Sequence, residues 1–376
     1  MTPSTLKPVK ICLHDCTAQE WPAGGAVLEA IVHALRRLGS DRPHISLATW
    51  SNKPRESWKS LAPFVDSIIE LPAGRDNLPR VNSTLMENHV DCFFSIPTAT
   101  ALTVTIPHIC WIYDFQHLHH SRNFSPDECA KRSSLFRDNA KKADIVFVKS
   151  SAIEQDFIAF APDLASKLRR IRFVPHISNE AWIRDVKALQ EYGLPAQFFF
   201  MPNQLQPHKN HERVLAALRI LRDRGCAVPV VCTGTIPEHD LPKQDALIKR
   251  AEELGVRDLF IMLGLVPPQS YFQLLRHGVA LINPSLFEGF GMSVCEAGYL
   301  ARQIVVSDIP AFHEHEIPGA RYFNPYDPND MAKRMEEALA RPRNVGDDSA
   351  ERHAAAQGQF GAEFIHMIDE AIRRPA

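Results

Sequence analysis

Two acidic residues lie eight positions apart around a glycine-rich turn, in a stretch of the chain that is otherwise apolar. The stretch reads NPSLFEGFGMSVCEAG and carries Glu288 before the turn, Gly291 within it and Glu296 after it. Glycine permits unusual backbone angles and a close approach of the backbone to a ligand. If a helix begins here, the amides of Phe290, Gly291 and Met292 lie at its N-terminus, which suits an anion such as a diphosphate.

The two carboxylates suit different partners in such a site. Glu296 would lie one turn into the helix, where a carboxylate can accept hydrogen bonds from two hydroxyl groups, as in a ribose. Glu288 comes just before the glycines, where it could meet a sugar hydroxyl or a developing positive charge. The alternative is an acidic first turn that only complements the helix dipole.

Two further loops offer groups for a phosphate. The loop NQLQPHKNH lies between a predicted strand and a predicted helix; Lys209 there could pair with phosphate oxygens, and Asn203 or His208 could add donors. Gly24 and Gly25 follow the first predicted strand without the G-x-G-x-x-G pattern of dinucleotide-binding folds, but their amides could still contact a phosphate. The alternatives are a solvated lysine and a loop that needs small residues before a helix.

The segment YDFQHLHH groups several polar side chains after a predicted strand: Asp114, Gln116, His117, His119 and His120. Zinc-like spacing with cysteine or with a second histidine pair is missing from the sequence, so no metal is expected. A histidine that exchanges protons or orients a substrate is the better interpretation, because imidazole titrates near neutral pH. Histidines on the surface or at the start of a helix are the alternative.

The composition excludes several classes of protein. The chain has 376 residues, of which 45% are hydrophobic and 23% charged, as in a folded protein and not a disordered one. A formal net charge of −2 argues against a nucleic-acid partner. The 8 cysteines form no C-x-x-C pair, which favours reduced thiols in a cytoplasmic protein. No secretory signal is expected, and no stretch approaches the ~20 apolar residues of a membrane-spanning helix.

Short β-branched runs alternate with helical patterns in two successive series, which predicts two parallel sheets covered by helices. The first series of predicted strands is VKICLHD, HISLATW, VDCFFSI, HICWIYD, ADIVFVKSS and LRRIRFVPHI, and the second is QFFFMPNQ, VPVVCTG, DLFIMLG, VALINPS and QIVVSD. The predicted domains are 1–180 and 190–350, followed by a closing helix over 351–376. Ligands of such sheets bind outside the carboxyl ends of the strands, where the polar loops lie.

Taken together, these motifs resemble those of the retaining glycosyltransferases of family 4. NPSLFEGFGMSVCEAG is similar to the E-x7-E motif of that family, and NQLQPHKNH to its phosphate-binding lysine loop. GGAVLEAIVHALRRLG is similar to its glycine-rich first loop and helix, and YDFQHLHHSRNFS to a first-domain loop of one subgroup. The resemblance implies an α/β protein of the GT-B fold, in which two doubly wound Rossmann-like domains face a cleft. The C-terminal helix is then expected to pack back on the first domain.

In the second domain, the resemblance assigns a role to each polar residue of the two loops. Glu296 would hold the ribose of a sugar nucleotide, and Glu288 would contact the transferred sugar. Lys209 would neutralise the diphosphate. Asn203 stands where many members have an arginine that also contacts phosphate, so it would keep a hydrogen-bond donor but lose the charge.

The resemblance also implies roles for backbone amides and for the first domain. The amides of Phe290–Met292, with those of Gly24 and Gly25, would help to bind the diphosphate. His117 is the first choice for the histidine that lies near the sugar in this family. Direct alignment on the more frequent H-D form of the motif would place Tyr113 there instead.

The function that the resemblance implies is the transfer of a hexose-type sugar from a UDP- or GDP-linked donor to a saccharide or lipid-linked acceptor, as in surface polysaccharide or lipopolysaccharide assembly. A lysine would do the work of a metal ion, so neither a metal nor a cofactor is expected. Residues 1–176 carry slightly more basic than acidic side chains, which is compatible with peripheral contact at the inner face of a membrane. The alternatives are a catalytically silent sugar-nucleotide-binding protein and another GT-B enzyme such as a sugar-nucleotide epimerase.

Overall fold

The computed structural model of the chain contains two compact units. It describes residues 9–15, 22–52, 58–73, 77–97, 102–183, 185–234, 241–343 and 350–374. One unit comprises Met1–His176 and Ala354–Ala376, and the other comprises Ile177–His353. The C-terminal segment therefore groups with the first unit.

The first unit is built on a seven-stranded parallel sheet with the strand order β3-β2-β1-β4-β5-β6-β7. Its strands are β1 (Lys10–His14), β2 (His44–Trp50), β3 (Ser67–Leu71), β4 (Cys92–Ser95), β5 (His108–Trp111), β6 (Ile145–Val148) and β7 (Leu168–Arg170). Every residue of β4, β5 and β6 is buried, as expected of parallel strands with helices on both faces. The strand order reverses its direction between β1 and β4, which makes the sheet doubly wound.

The second unit repeats this architecture on a six-stranded parallel sheet with the order β10-β9-β8-β11-β12-β13. Its strands are β8 (Phe199–Met201), β9 (Val230–Cys232), β10 (Phe260–Met262), β11 (Leu281–Asn283), β12 (Ile304–Ser307) and β13 (Arg321–Phe323). The direction reverses between the neighbours β8 and β11. The loops after these two strands therefore flank the crevice in which ligands of such sheets bind.

Helices connect the strands. They are α1 (Pro22–Arg36), α2 (Leu78–Glu87), α3 (Gln116–His119), α4 (Pro126–Lys142), α5 (Ser151–Phe160), α6 (Lys187–Glu191), α7 (His211–Asp223), α8 (Leu241–Glu253), α9 (Pro268–His277), α10 (Met292–Tyr299), α11 (Pro310–His313), α12 (Pro328–Leu339) and α13 (Ala350–Arg373). In α1, the spacing of Val27, Ile31 and Leu35 gives one apolar face, and all three side chains are buried. No helix of the described residues is long and apolar enough to cross a membrane.

The C-terminal helix α13 packs on the first unit, which confirms the expectation from the sequence. The Phe364 ring lies 5.7 Å from that of Phe94 and 5.9 Å from that of Phe147, measured between centroids. The amide of Gln357 links Arg37, from which it accepts a hydrogen bond, to the carbonyl of Pro175, to which it donates. The helix thus completes the hydrophobic core of the first sheet, which contains the N-terminal strand β1.

Two strands of the structure were not predicted from the sequence, and both are edge strands. β3 lies at one edge of the first sheet and β13 at one edge of the second. An edge strand is covered less completely, so polar residues such as Glu70 in β3 and Arg321 in β13 interrupt its apolar run. The predicted strand LRRIRFVPHI is also shorter than expected, because only Leu168–Arg170 pairs with β6.

The packing of α13 on α1 can be tested with two glycines of the same helix. A methyl group on Gly361 would lie 2.4 Å from the carbonyl oxygen of Ala34, whereas one on Gly358 would meet nothing within 4 Å. We expect Gly361→Ala to lower the free energy of unfolding by about 1–3 kcal/mol through overpacking. Gly358→Ala is the matched control and should raise it by up to about 1 kcal/mol, because alanine is the better helix former. Equal effects of the two variants in urea denaturation would contradict this packing.

Candidate active site

The candidate site lies at the carboxyl ends of the neighbouring strands β8 and β11. These strands pair through Phe200 and Leu281, so the loops that follow them leave the sheet side by side. The loop after β8 carries Asn203 and Lys209, and the loop after β11 carries Glu288. The topology of the sheet therefore brings together Lys209 and Glu288, which are 79 positions apart in the sequence.

An ion pair connects the two loops. The Nζ atom of Lys209 donates to Oε1 of Glu288 at 2.6 Å, and the two side chains are only 16% and 13% exposed. The hydroxyl of Ser285 donates to the same carboxylate oxygen at 2.8 Å. Burial by itself would raise the pKa of Glu288, but the charge and hydrogen bond of Lys209 outweigh it and hold that pKa below its usual value. Glu288 is therefore ionised and paired at neutral pH.

A cluster of buried polar side chains lies next to the carboxylate of Glu288. The amide nitrogen of Asn203 donates to Oδ1 of Asn283 at 3.0 Å and lies 3.2 Å from the hydroxyl of Ser285. The backbone amide of Ser285 in turn donates to Oδ1 of Asn283 at 3.2 Å, and the hydroxyl oxygen of Ser285 lies 2.7 Å from the same atom. The NH₂ group of Asn203 is thus engaged within the protein, while its Oδ1 has no hydrogen-bond partner among the described residues. Its predicted contact with phosphate stays a prediction.

Asn210 fixes the lysine loop to the rest of the site, and its role was not predicted from the sequence. Its backbone is left-handed, with a φ of 59°, and it precedes α7 as the N-cap residue. Its side-chain amide donates to the carbonyl of Pro284 at 3.1 Å and to that of Pro325 at 2.9 Å. Because Asn210 follows Lys209 directly, these bonds position the lysine against the loop that carries Glu288. An asparagine before a helix is a recognisable cap, but its distant partners are not visible in the sequence.

The glycine turn ends at Gly291, the N-cap of α10, which has a φ of 79°. A Cβ atom at this position would lie 2.6 Å from the ring of Phe312, so both the backbone angle and the space require glycine. His315 donates from Nε2 to the carbonyl of Phe290 at 2.7 Å, and the two rings meet edge to face at 4.7 Å. The turn that was predicted to receive phosphate is therefore held in one conformation by the segment after β12.

Tyr271 orients the second glutamate of the motif. Glu296 lies in α10 and is 8% exposed, and one of its carboxylate oxygens accepts a short hydrogen bond from the hydroxyl of Tyr271. Burial first, and then the charge of Glu296, raise the pKa of Tyr271 well above its usual value, so the hydroxyl stays protonated as a donor. Tyr271 was not predicted from the sequence, because a tyrosine in the apolar pattern of α9 resembles an ordinary core residue.

The remaining predicted residues belong to the first unit. Gly24 and Gly25 lie in the first turn of α1. His117 lies in α3 and is 1% exposed, with Nε2 at 3.1 Å from the hydroxyl of Ser133 and its ring against Phe136. Burial, assisted by nearby positive charge, lowers the pKa of His117 to about 4, so the ring is neutral at pH 7. Its Nδ1 atom is buried without a hydrogen-bond partner among the described residues.

One cluster of the described residues has the composition of a metal site, but its geometry does not suit one. The possible ligand atoms of Glu29, His33 and His176 lie within 4.8 Å of one another. The two imidazole rings, however, are stacked with their centroids 3.7 Å apart and their planes 5° from parallel. The lone pairs of imidazole lie in the plane of the ring, so two stacked rings do not direct them at one ion.

The acid dependence of stability tests the ion pair. The folded-state pKa of Glu288 is lowered, so the pair stabilises the protein above the unfolded-state pKa of about 4.3, and this contribution is lost as pH falls through the lower folded-state pKa. We expect Glu288→Gln to remove part of the acid dependence of the free energy of unfolding between pH 7 and pH 3. The exposed Glu252→Gln is the control. Parallel pH curves for the wild type and Glu288→Gln would contradict the pairing.

A second pair of glycines tests the turn. Gly291 and Gly319 both have left-handed backbones, with φ of 79° and 74°, but a Cβ at Gly319 would meet nothing within 4 Å. Alanine costs about 1–2 kcal/mol at either position because of the backbone angle. We expect Gly291→Ala to cost a further 1–3 kcal/mol or so, because the Phe312 ring is buried and cannot yield. If urea denaturation gives the same loss for both variants, Phe312 does not confine the turn.

Comparison with known proteins gives a family match over most of the second unit. Residues 189–357 match the family model of glycosyl transferases group 1. The serotype-specific mannosyltransferase WbdA of Escherichia coli is 28% identical over 244 residues, which cover 62% of this chain and 29% of that protein. The O-antigen chain mannosyltransferase RfbU of Salmonella typhimurium is 30% identical over 130 residues, which cover 35% of each chain. The chain thus matches about a third of the length of these relatives.

Solved structures show the fold across nearly the whole chain. A glycosyltransferase from Rickettsia africae superposes with a TM-score of 0.72 at 13% identity and covers 98% of this chain and 100% of its own. The Anabaena protein Alr3699/HepE, solved with UDP and glucose, superposes with a TM-score of 0.67 at 16% identity and covers 97% of both chains. The two Rossmann-like units therefore have the GT-B fold, and the match to the family model of glycosyl transferases group 1 falls on residues 189–357.

Proposed function

We propose that this protein is a glycosyltransferase that moves a hexose-type sugar from a nucleoside-diphosphate sugar to an acceptor hydroxyl. The observation that carries the proposal is the ion pair between Lys209 and Glu288, which lies where the strand order of the second sheet reverses. A ligand in that crevice meets one cation and one anion at adjacent loops. A donor with an anionic diphosphate and a sugar that becomes cationic in the transition state has the matching pattern of charge.

Each group of the site has a place in this proposal. Lys209 and the amides at the start of α10 bind the diphosphate and stabilise the negative charge that grows on it as the bond to the sugar breaks. Glu288 faces the sugar, where its ionised carboxylate stabilises the oxocarbenium-like transition state. Glu296, oriented by Tyr271, accepts hydrogen bonds from the ribose. The proposal requires no metal, because Lys209 supplies the positive charge.

We further propose that transfer retains the configuration of the anomeric carbon. The bond between that carbon and the leaving phosphate breaks, and its electron pair goes to the phosphate oxygen. The acceptor hydroxyl forms its bond from the same face and gives its proton to that phosphate oxygen. Glu288 supports this path, because a carboxylate paired with Lys209 and Ser285 stabilises charge and is a poor nucleophile.

The first unit supplies the acceptor side in this proposal. His117 is neutral, and Nδ1 is the ring atom left to donate a hydrogen bond to a sugar hydroxyl, because Nε2 already contacts Ser133. This contact requires that substrate binding expose Nδ1, which is buried in this structure. The names of the relatives WbdA and RfbU favour a mannosyl group and an O-antigen type of acceptor, either a saccharide or a lipid-linked one. Work at the cytoplasmic face of a membrane, through peripheral contact, fits such an acceptor. GDP-mannose and UDP-glucose are the first donors to test.

The opposite charges of the pair give opposite expectations for nucleotide binding, whereas both variants should slow turnover. Lys209→Ala removes a charge-assisted contact and should weaken the binding of the nucleoside diphosphate by about 1.5–3 kcal/mol, roughly 10- to 100-fold, and slow donor turnover. Glu288→Gln removes a negative charge beside the phosphates, so it should tighten that binding by about 1 kcal/mol, roughly fivefold, while it slows transfer. Calorimetry and release of nucleoside diphosphate measure the two effects.

The exposed Lys249→Ala, on α8 of the same unit, is the control and should change neither quantity. If Lys209→Ala and Glu288→Gln both leave transfer intact, the assignment of the site is wrong. If nucleotides bind and depend on Lys209 but no donor is ever turned over or hydrolysed, the chain is a sugar-nucleotide-binding protein without activity.

A further inference from the structure

A group of arginines surrounds a cavity at the outer edge of the second sheet, away from the Lys209–Glu288 pair. The cavity has a volume of about 510 Å³ and is lined by Arg321 and Tyr322 of β13, by Arg334 and Glu337 of α12, by Arg341 just after α12, and by Asp308. β13 is two strands removed from β11, which corresponds to about 10 Å across the sheet. The proposed donor site and this cavity are thus separate features of the same unit.

Arg321 is the most unusual member of the group. Its side chain is only 8% exposed, and its Nη1 atom is buried without a hydrogen-bond partner among the described residues. The nearest carboxylate, that of Glu337, lies 4.0 Å from its Nε atom, which is too far for a hydrogen bond. A buried cation with unfilled hydrogen-bonding capacity is costly unless an anion compensates it.

The Glu337 carboxylate of the cavity is already hydrogen-bonded to another arginine, Arg334. Arg334 is bound by both oxygens of Glu337 at 3.2 Å, by Asp330 at 3.4 Å and by the carbonyl of Tyr322. Arg341 forms no ion pair with any residue that the structure describes. Three guanidinium groups therefore share a cavity in which, among the described residues, only Arg334 is hydrogen-bonded to a carboxylate.

The electrostatics of Arg321 agree with this imbalance. Burial, and then the positive charge of Arg341, lower the pKa of Arg321 from its usual value, although Glu337 opposes the shift. Asp308 lies 2.6 Å from Nε2 of His313 and forms no ion pair with Arg321 or Arg341 among the described residues. An additional negative charge in the cavity would relieve the repulsion between Arg321 and Arg341.

We propose that this cavity binds the phosphate group of a small molecule. The planar fork of a guanidinium group matches two phosphate oxygens, and two arginines that lack a full partner can share a dianionic phosphate. The volume of about 510 Å³ leaves room for a sugar-sized body beyond the phosphate. A phosphorylated sugar, inorganic phosphate and a phosphate-bearing lipid headgroup share this chemistry.

The test uses the full chain with Lys209→Ala in the background, so that phosphate binding at the proposed donor site is weakened. Calorimetry measures the binding of inorganic phosphate, of mannose 6-phosphate and of vesicles of phosphatidylcholine with phosphatidic acid. We expect at least one of these probes to bind, and both Arg341→Ala and Arg321→Gln to weaken that binding at least tenfold. The probe that binds most tightly identifies the source of the phosphate.

Arg250→Ala, at an exposed position on α8, is the matched control and should bind the same probe as tightly as the background variant. Arg341 is exposed, so its variant keeps the test decisive even if Arg321→Gln fails to fold. The inference is overturned if none of the three probes binds, or if a probe binds equally well to Arg341→Ala. Because Arg321 and Arg341 lie outside the proposed donor site and only binding is measured, neither result depends on the proposed transferase activity.

Discussion

A buried ion pair between two loops is the contact on which the second unit's site depends. Lys209 and Glu288 leave the sheet from adjacent strands, and their 2.6 Å contact fixes the distance between those loops. The desolvation cost of burying two charges can exceed the energy of their attraction, so such a pair is weak evidence for a role in stability alone. The pair does place a positive and a negative charge at fixed positions. A ligand with both charges, such as the proposed sugar nucleotide in its transition state, would match them.

The surrounding residues serve to keep that pair in place. Asn210 ties the lysine loop to Pro284 and Pro325, and Ser285 presents its hydroxyl to the carboxylate. On the other side of the glutamate, Phe312 leaves no space for a side chain at Gly291, which sets the start of α10. The amides and charges that we propose to bind phosphate are thus positioned before any ligand arrives, which is the condition for electrostatic catalysis.

The sequence was sufficient for the fold class and for the two motifs, because a glycine turn with flanking carboxylates and a lysine loop between a strand and a helix are local patterns. It was insufficient for Tyr271, Asn210 and His315, whose partners lie 25, 74 and 25 positions away. Such contacts depend on how elements pack, and each residue alone resembles an ordinary core or cap residue. The edge strands β3 and β13 were missed for a related reason, since their polar residues hide the period of a strand.

The most direct test of the account is a crystal structure of the protein soaked with UDP or GDP. The account predicts that the diphosphate lies within hydrogen-bond distance of Nζ of Lys209 and of the amides at the start of α10, with the ribose hydroxyls on Glu296. A nucleotide that binds elsewhere, or one whose ribose lies away from Glu296 while Lys209 remains paired with Glu288 alone, would contradict it.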